Sequence, residues 1–374
     1  MVSRLYPTTR YLYVQVHDVL TMLTVFELFT PTQFGLVCLY ITGLILLDRK
    51  QTNTRITLYL PARCHDAVNR LLRVMPFSSR VVFGVCARFV KQLGVTGYLS
   101  LDDVIVPKPF SKTLLWTTKL WSSSENRYVY GMQIVVLCWC WGSFKVPLAI
   151  RLWTSKQATS QRRYRTKLQL AQEMVIEVRA MNVPFTYIVF DGWYTAGWFA
   201  KWLNKCQIIW VGKAPKNMRV VYRRREMAMR DLPGRLRFKW RTILQMRAAT
   251  AKVYLPKFGQ VRLVVTINGR GKHDFIITNA LDQDLCTIVL WKQSRWDIET
   301  LFRNGKQLAG LASCQCRTPQ ATVRHVTLVF FTCFVLDLLK TDPSQTTDGS
   351  KQMLQLQVIT QGMRPPQPLQ ARTM

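Results

Sequence analysis

A chain of 374 residues that is 49% hydrophobic is long enough for two or three compact units with their own cores, which excludes a mainly disordered protein. Its 52 Lys and Arg against 20 Asp and Glu leave a net charge of +32, which argues against an ordinary mixed-sign surface and for a polyanionic partner: DNA, RNA or a membrane face. The ten cysteines are dispersed without a CxxC pair and the four histidines form no HExxH or HxE pattern, so a zinc site is not expected and the thiols read as reduced and buried.

Residues 1–95 have helical character. The most apolar run, Phe34–Leu47, has fourteen residues, short of the roughly 20 that span a bilayer, and lies too deep in the chain for a signal peptide. It reads as core, with no membrane attachment and a reducing, cytoplasmic location. HDAVNRLL (65–72) is a short amphipathic helix. Ser78 and Ser79 cap a second one, whose Val81, Val82, Val85, Phe89, Val90 and Leu93 follow a 3.6-residue period until Gly94 stops it. With Arg70, Arg73, Arg80, Arg88 and Lys91 the pair suits a helix-turn-helix-like DNA reader, and equally an ordinary helical subdomain.

From Val95 the pattern turns to strands. VTGYLSLDDVIV is β-rich; YVYGMQIVVLCWCW (128–141) and FKVPLAIRLW (144–153) form a hairpin about Gly142-Ser143. A basic loop ending in SQRRYRTK leads to a helix over 166–181, then to a short apolar run ending in an acid, TYIVFD (186–191), and another strand, IIWVGKAP (208–215). This order predicts an α/β fold: an RNase H-like mixed sheet flanked by helices. Residues 217–283 are strand-forming and read as an inserted β-domain; their NGRGK is a hairpin turn, since GxxxxGK[ST] is absent. A final helix is expected over 284–311, capped by Asp284. The expected organisation is a helical N-terminal region that could bind DNA (1–95), a first catalytic part (96–216), the insert (217–283), final catalytic helices (284–340) and a polar, Pro/Gln-rich flexible tail (341–374).

Acids are scarce, so their placement carries information. Asp102 and Asp103 lie within the first strand, Asp191 ends the fourth, and Glu299 sits in the final helix. The two aspartate strands are neighbours in an RNase H-like sheet, so Asp102, Asp191 and Glu299 can converge. Three carboxylates without histidines suit two Mg²⁺ or Mn²⁺ ions, the catalysts of phosphodiester cleavage. Arg295, Glu299 and Lys306 share a helix face; the cations read either as holding DNA phosphates or as plain ion-pair partners of the acid. From Lys213 to Lys257 there are fourteen Lys or Arg and two acids, with Tyr222, Phe238, Trp240 and Tyr254 interleaved. Arg223, Arg224 and Arg225 there, and Arg162 and Arg163 in the earlier loop, are phosphate-contact candidates. The rings read as stacking platforms or as core of the insert.

Arg295-x₃-Glu299-x₆-Lys306 within RWDIETLFRNGKQLAGL resembles the Y-R-E-K motif of bacterial insertion-sequence DDE transposases. LDDVIVPKP (101–109) is similar to their first-aspartate strand, and TKLQLA with YIVFDGWY to their helix and second-aspartate strand. The resemblance spans roughly residues 60–340. It implies a metal-dependent nuclease and strand transferase that cuts transposon ends at terminal inverted repeats and joins 3′-hydroxyls to target DNA, as a homodimer in the synaptic complex on the bacterial nucleoid. It makes Trp240 a candidate for stacking on an unpaired base. Lys292 stands at the motif's tyrosine and Val104 at a frequent threonine. Strand alternation puts Asp102 and Asp103 on opposite faces; the resemblance selects Asp102. The other readings of the same chain are a catalytically silent DNA-binding remnant of a transposase and a different RNase H-like nuclease.

Overall fold

The computed structural model describes residues 5–111, 114, 116–122, 125–158, 163–313, 315–342 and 344–363. The chain opens with α1 (Pro7–Met22), α2 (Pro31–Leu46), α3 (Asn53–Tyr59), α4 (His65–Arg73) and α5 (Ser79–Gln92). Strands β1 (Gly97–Pro107), β2 (Thr118–Ser122), β3 (Arg127–Trp141) and β4 (Phe144–Trp153) follow, then α6 (Lys167–Ala180), β5 (Phe185–Phe190), α7 (Gly197–Lys205) and β6 (Ile209–Lys213). The next segment holds β7 (Arg219–Tyr222), β8 (Arg225–Ala228), β9 (Lys239–Arg241), β10 (Met246–Leu255), β11 (Gly259–Ile267) and β12 (His273–Thr278). Helices α8 (Leu285–Gln293), α9 (Trp296–Gln307), α10 (Pro319–Leu338) and α11 (Thr347–Met363) complete it. Two compact units result: Ala87–Thr300, and Met1–Cys86 with Leu301–Met374.

The second of these is helical. A capping box of Thr30 and Gln33 starts α2, and every residue from Phe34 to Ile45 is buried, so the apolar run is core. Helix α10 has the length and apolarity of a membrane span, and 83% of its most apolar window is buried inside the protein. Helix α4, with Val68, Leu71 and Leu72 buried, packs against α2, α3 and α10.

The Ala87–Thr300 unit is built on one sheet, flanked by helices, with the order β2-β3-β1-β5-β6-β12-β11-β10-β7-β8; β4 also pairs with β3 and β9 with β10. The β1–β3 and β3–β4 pairs are antiparallel, and β1–β5 and β5–β6 are parallel. The succession β4-β3-β1-β5-β6 is thus the mixed sheet expected of an RNase H-like fold. Helix α6 packs on β3 and β4, and α8 on β5, β6, β11 and β12. Under α8, Tyr187, Val189, Val211, Val264, Ile276, Ile288 and Val289 form a continuous core.

Three expectations are corrected. The insert is made of strands, but β12 pairs with β6, so they extend the main sheet instead of forming a sheet of their own. The helix expected over 284–311 is two helices, broken at Ser294-Arg295, where the Asp297 and Ile298 N–H groups donate to carbonyls only three residues back. The expected flexible tail contains α11, which packs on α1, α2 and α10 and buries Ser350, Lys351, Leu354 and Val358. The Lys351 ammonium is buried and donates to the carbonyls of Leu47 and Leu308, each at 2.8 Å. Tertiary burial, which polar composition conceals, orders this segment.

Deleting residues 347–374 is therefore expected to destabilise the protein by about 3–6 kcal/mol, the burial value of two apolar side chains. Urea unfolding of full-length and shortened chains checks it. Coincident transitions would mean that α11 contributes nothing.

Candidate active site

The register of β1 against β5 builds the site. Leu101 pairs with Phe190, and one residue beyond on each strand stand Asp102 and Asp191, side by side at the C-terminal end of β5. Parallel pairing turns them to the same face of the sheet, the one that α8 covers.

Burial, and then the Asp191 charge, push the Asp102 carboxyl up to about 7, against the Asp103 N–H and the Arg295 guanidinium, which favour its anion. Asp191 is also raised, by burial first, although it accepts the N–H groups of Tyr194 (3.3 Å) and Trp193 (2.9 Å) on Oδ1. Desolvated acids this close resist ionising together, a perturbation common at functional sites.

Glu299 reaches this pair through Arg295. The guanidinium Nη1 donates to Asp102 Oδ2 at 2.7 Å, and Nη2 donates to Glu299 Oε1. The side chains of Arg295 and Asp102 are each 15% exposed, and that of Glu299 is 31%. Among the described residues no three His, Cys, Asp or Glu side chains form a ready metal cage; a guanidinium spans two of the acids. The donor set, carboxylate oxygens alone, still fits a hard divalent cation.

Helix placement depends on residues that the sequence left unassigned. Tyr98 of β1 stacks on Tyr187 of β5 (centroids 5.0 Å apart, planes 4°), and Tyr187 on Trp291 of α8 (4.5 Å, 24°). The hydroxyl of Tyr187 meets Ser294 Oγ at 3.0 Å, and that of Tyr98 donates to Asp297, so the α8–α9 turn is held on both sides of Arg295. Burial lowers the Lys292 pKa, with Arg295 acting in the same direction and Asp274 and Glu299 opposing. This cation at the motif's tyrosine position thus feels the site's charges.

Asp103 faces the other way. It accepts from Lys167 Nζ (2.9 Å) at the start of α6, from the Tyr194 hydroxyl (2.8 Å) and from Gln133. Lys167 also lies 3.7 Å from the Trp193 ring centre. Tyr194 falls in a stretch that the sequence marked only as an element, and Lys167 ends SQRRYRTK (160–167), read there as a phosphate-contact segment.

Lys306 is one residue from the end of α9, in the helical unit. Arg223 and Arg224 form the exposed two-residue tip of the β7–β8 hairpin, and Arg225 begins β8. Trp240 on β9 is 58% exposed and Tyr254 on β10 51%, so neither fills the core. Arg163 is exposed before α6, and Arg162 lies outside the described residues.

The two adjacent aspartates should therefore respond oppositely to neutralisation. Asp103→Asn leaves the Lys167 ammonium, 11% exposed, without its counter-ion, and is expected to cost about 3 kcal/mol. Asp102→Asn removes a charge the fold already disfavours, so its melting temperature should not fall below that of the parent. Thermal unfolding of both variants decides; a larger loss in Asp102→Asn would reverse the two roles.

No curated protein matches the chain. Among solved structures it is similar to the piggyBac transposase in a cryo-EM structure of its synaptic complex with hairpin DNA, at 15% identity and a TM-score of 0.46, over 90% of this chain and 73% of that one. The family model described as DDE superfamily endonuclease matches residues 24–254, more than half of the chain and inclusive of Asp102 and Asp191. The chain belongs to the DDE superfamily of endonucleases.

Proposed function

We propose that this endonuclease is a DNA transposase that cleaves transposon ends and transfers the 3′-hydroxyls to target DNA. One observation carries the reading: Asp102 within β1 and Asp191 just past the end of β5 stand side by side, and Glu299 is tied to Asp102 through one guanidinium. Endonucleases of this superfamily generally depend on divalent metal. Asp102, Asp191 and Glu299 would hold two Mg²⁺ or Mn²⁺ ions. Bound there, such ions supply a lowered water or hydroxyl pKa and charge stabilisation at a phosphodiester.

The chain's own residues do the positioning. Asp191 uses one oxygen on the Trp193 and Tyr194 N–H groups, which aims the other at the site. Lys167 and Tyr194 fix β1 from behind through Asp103. In this reading a homodimer brings two ends together, and the exposed Trp240 offers a stacking face to an unpaired base. The described cysteines are all free, which suits a reducing cytoplasm and work at the nucleoid.

The β7–β8 tip supports a DNA contact. Arg223 and Arg224 have φ of 49° and 67°, left-handed conformations that cost about 1 kcal/mol each for side chains with a Cβ. Two-residue hairpins of this kind favour Asn-Gly. Two strained arginines at an exposed tip are better explained by what they reach than by the turn.

Two experiments test the reading. Without divalent ion, Glu299→Gln should bind a duplex carrying the inverted repeat that flanks the gene as the parent does, and with Mn²⁺ it should no longer nick that duplex; nicking near the parental rate would falsify the catalytic assignment. The double variant Arg223→Asn/Arg224→Gly should gain about 1 kcal/mol of stability from the relaxed turn. The same variant should bind DNA more weakly, its log affinity against log salt flattening by about 2. An unchanged slope removes the tip from the DNA interface.

A further inference from the structure

Arg295 occupies a place that its position in the motif does not suggest. A phosphate-contacting arginine is expected to face outward, yet this one is largely buried and joins two of the three acids. Asp102 Oδ1 already accepts the Asp103 N–H at 2.8 Å, so the oxygen most open to a ligand is Oδ2, and that is the atom Arg295 holds. A metal ion taken up by Asp102 and Glu299 must therefore compete with one guanidinium for both carboxylates.

We propose that Arg295 is a gate that makes metal uptake conditional on DNA. The inference rests on the carboxylate reading above. Without DNA, Arg295 is the internal cation of the site. A DNA phosphate presents two anionic non-bridging oxygens that, like those of a carboxylate, accept two parallel N–H bonds, so it can take over the guanidinium. The freed oxygens of Asp102 and Glu299 then bind the divalent ion. Only the side chain has to move: Arg295 lies in the turn between α8 and α9, and the hydroxyls of Tyr187 and Tyr98 hold Ser294 and Asp297 on either side of it. Linkage requires reciprocity, so bound metal must tighten DNA binding by the same factor as DNA tightens metal binding. The gate keeps a strongly basic nuclease from carrying charged metals before it holds a substrate.

The test measures Mn²⁺ binding to the full chain from the electron paramagnetic resonance signal of free Mn²⁺. It is made with and without a short DNA duplex, and the duplex's own Mn²⁺ uptake is measured separately and subtracted. The parent should bind Mn²⁺ weakly alone, and about 5- to 150-fold more tightly with DNA, the usual span of coupling between two sites. Arg295→Gln should bind Mn²⁺ tightly without DNA and gain little from it. Arg295→Lys is the decisive variant: it keeps the charge, but one ammonium does not span two carboxylates, so it too should bind Mn²⁺ more tightly than the parent. Circular dichroism checks the fold of each. Equal Mn²⁺ affinity with and without DNA in the parent, or Arg295→Lys indistinguishable from the parent, overturns the gate while leaving the transposase reading intact. Mn²⁺ binding unaffected by Glu299→Gln overturns the carboxylate reading itself.

Discussion

Negative charge crowded onto one buried patch of sheet is the constraint on which the Ala87–Thr300 unit depends. At an effective dielectric near 20, two like charges about 4 Å apart repel by about 4 kcal/mol. The rise of the Asp102 carboxyl to about 7, and the upward shift of Asp191, come from burial first, with such repulsion added to it. The fold answers with cations from both faces. Lys167, at the first turn of α6, neutralises Asp103 on one side; Arg295, between α8 and α9, bridges Asp102 and Glu299 on the other. A chain with 52 basic residues has cations to spare, yet these two are among the few that are mostly buried, each set against an acid that is itself desolvated.

Holding the second cation in place is the work of an aromatic stack. Tyr98, Tyr187 and Trp291 come from β1, β5 and α8, so one column of rings fixes the spacing of both aspartate strands and the helix above them. Their apolar faces add to the core, and the two phenol hydroxyls, left at its edge, find Ser294 and Asp297. Packing thus sets the angle at which α9 leaves α8, and that angle delivers Glu299. The site's geometry is a consequence of core packing more than of its own ion pairs.

What the sequence revealed follows the same division. Period-2 alternation in GYLSLDDVIV separated Asp102 from Asp103, and an apolar run ending in an acid marked Asp191, because both are local properties of one strand. The break at Ser294 was not legible: the apolar pattern of 284–311 is continuous, and the groups that hold the turn lie 107 and 199 residues away in the chain. For the same reason the motif spacing placed Arg295 on the correct face without showing that it turns inward to two acids. The polar composition after Lys340 concealed α11, whose order comes from Lys351, Leu354 and Val358 finding partners on helices near the start of the chain. Exposure of Trp240 and Tyr254 was likewise unreadable, since strand aromatics look alike whether they fill a core or face solvent.

The insert between Asp191 and Glu299 shows how a long excursion leaves a site intact. After β6 the chain runs on into β7–β11, outer strands of the same sheet, and comes back beside β6 in β12: Lys213 lies opposite Ile276 and Gly212 opposite Ile277. Helix α8 begins seven residues after β12 ends and packs on β5, β6, β11 and β12. The 62 residues between Lys213 and Ile276 therefore close on neighbouring strands. Closure entropy grows only with the logarithm of loop length, by about 0.6 kcal/mol per doubling. A segment closed in this way can lengthen, or bear a strained arginine tip at its far edge, without shifting Glu299, provided that the β6–β12 pair and the ring stack beneath α8 persist. Surface contacts and the carboxylate cluster are thus mechanically separate parts of one continuous sheet, joined through backbone pairing at a single strand edge.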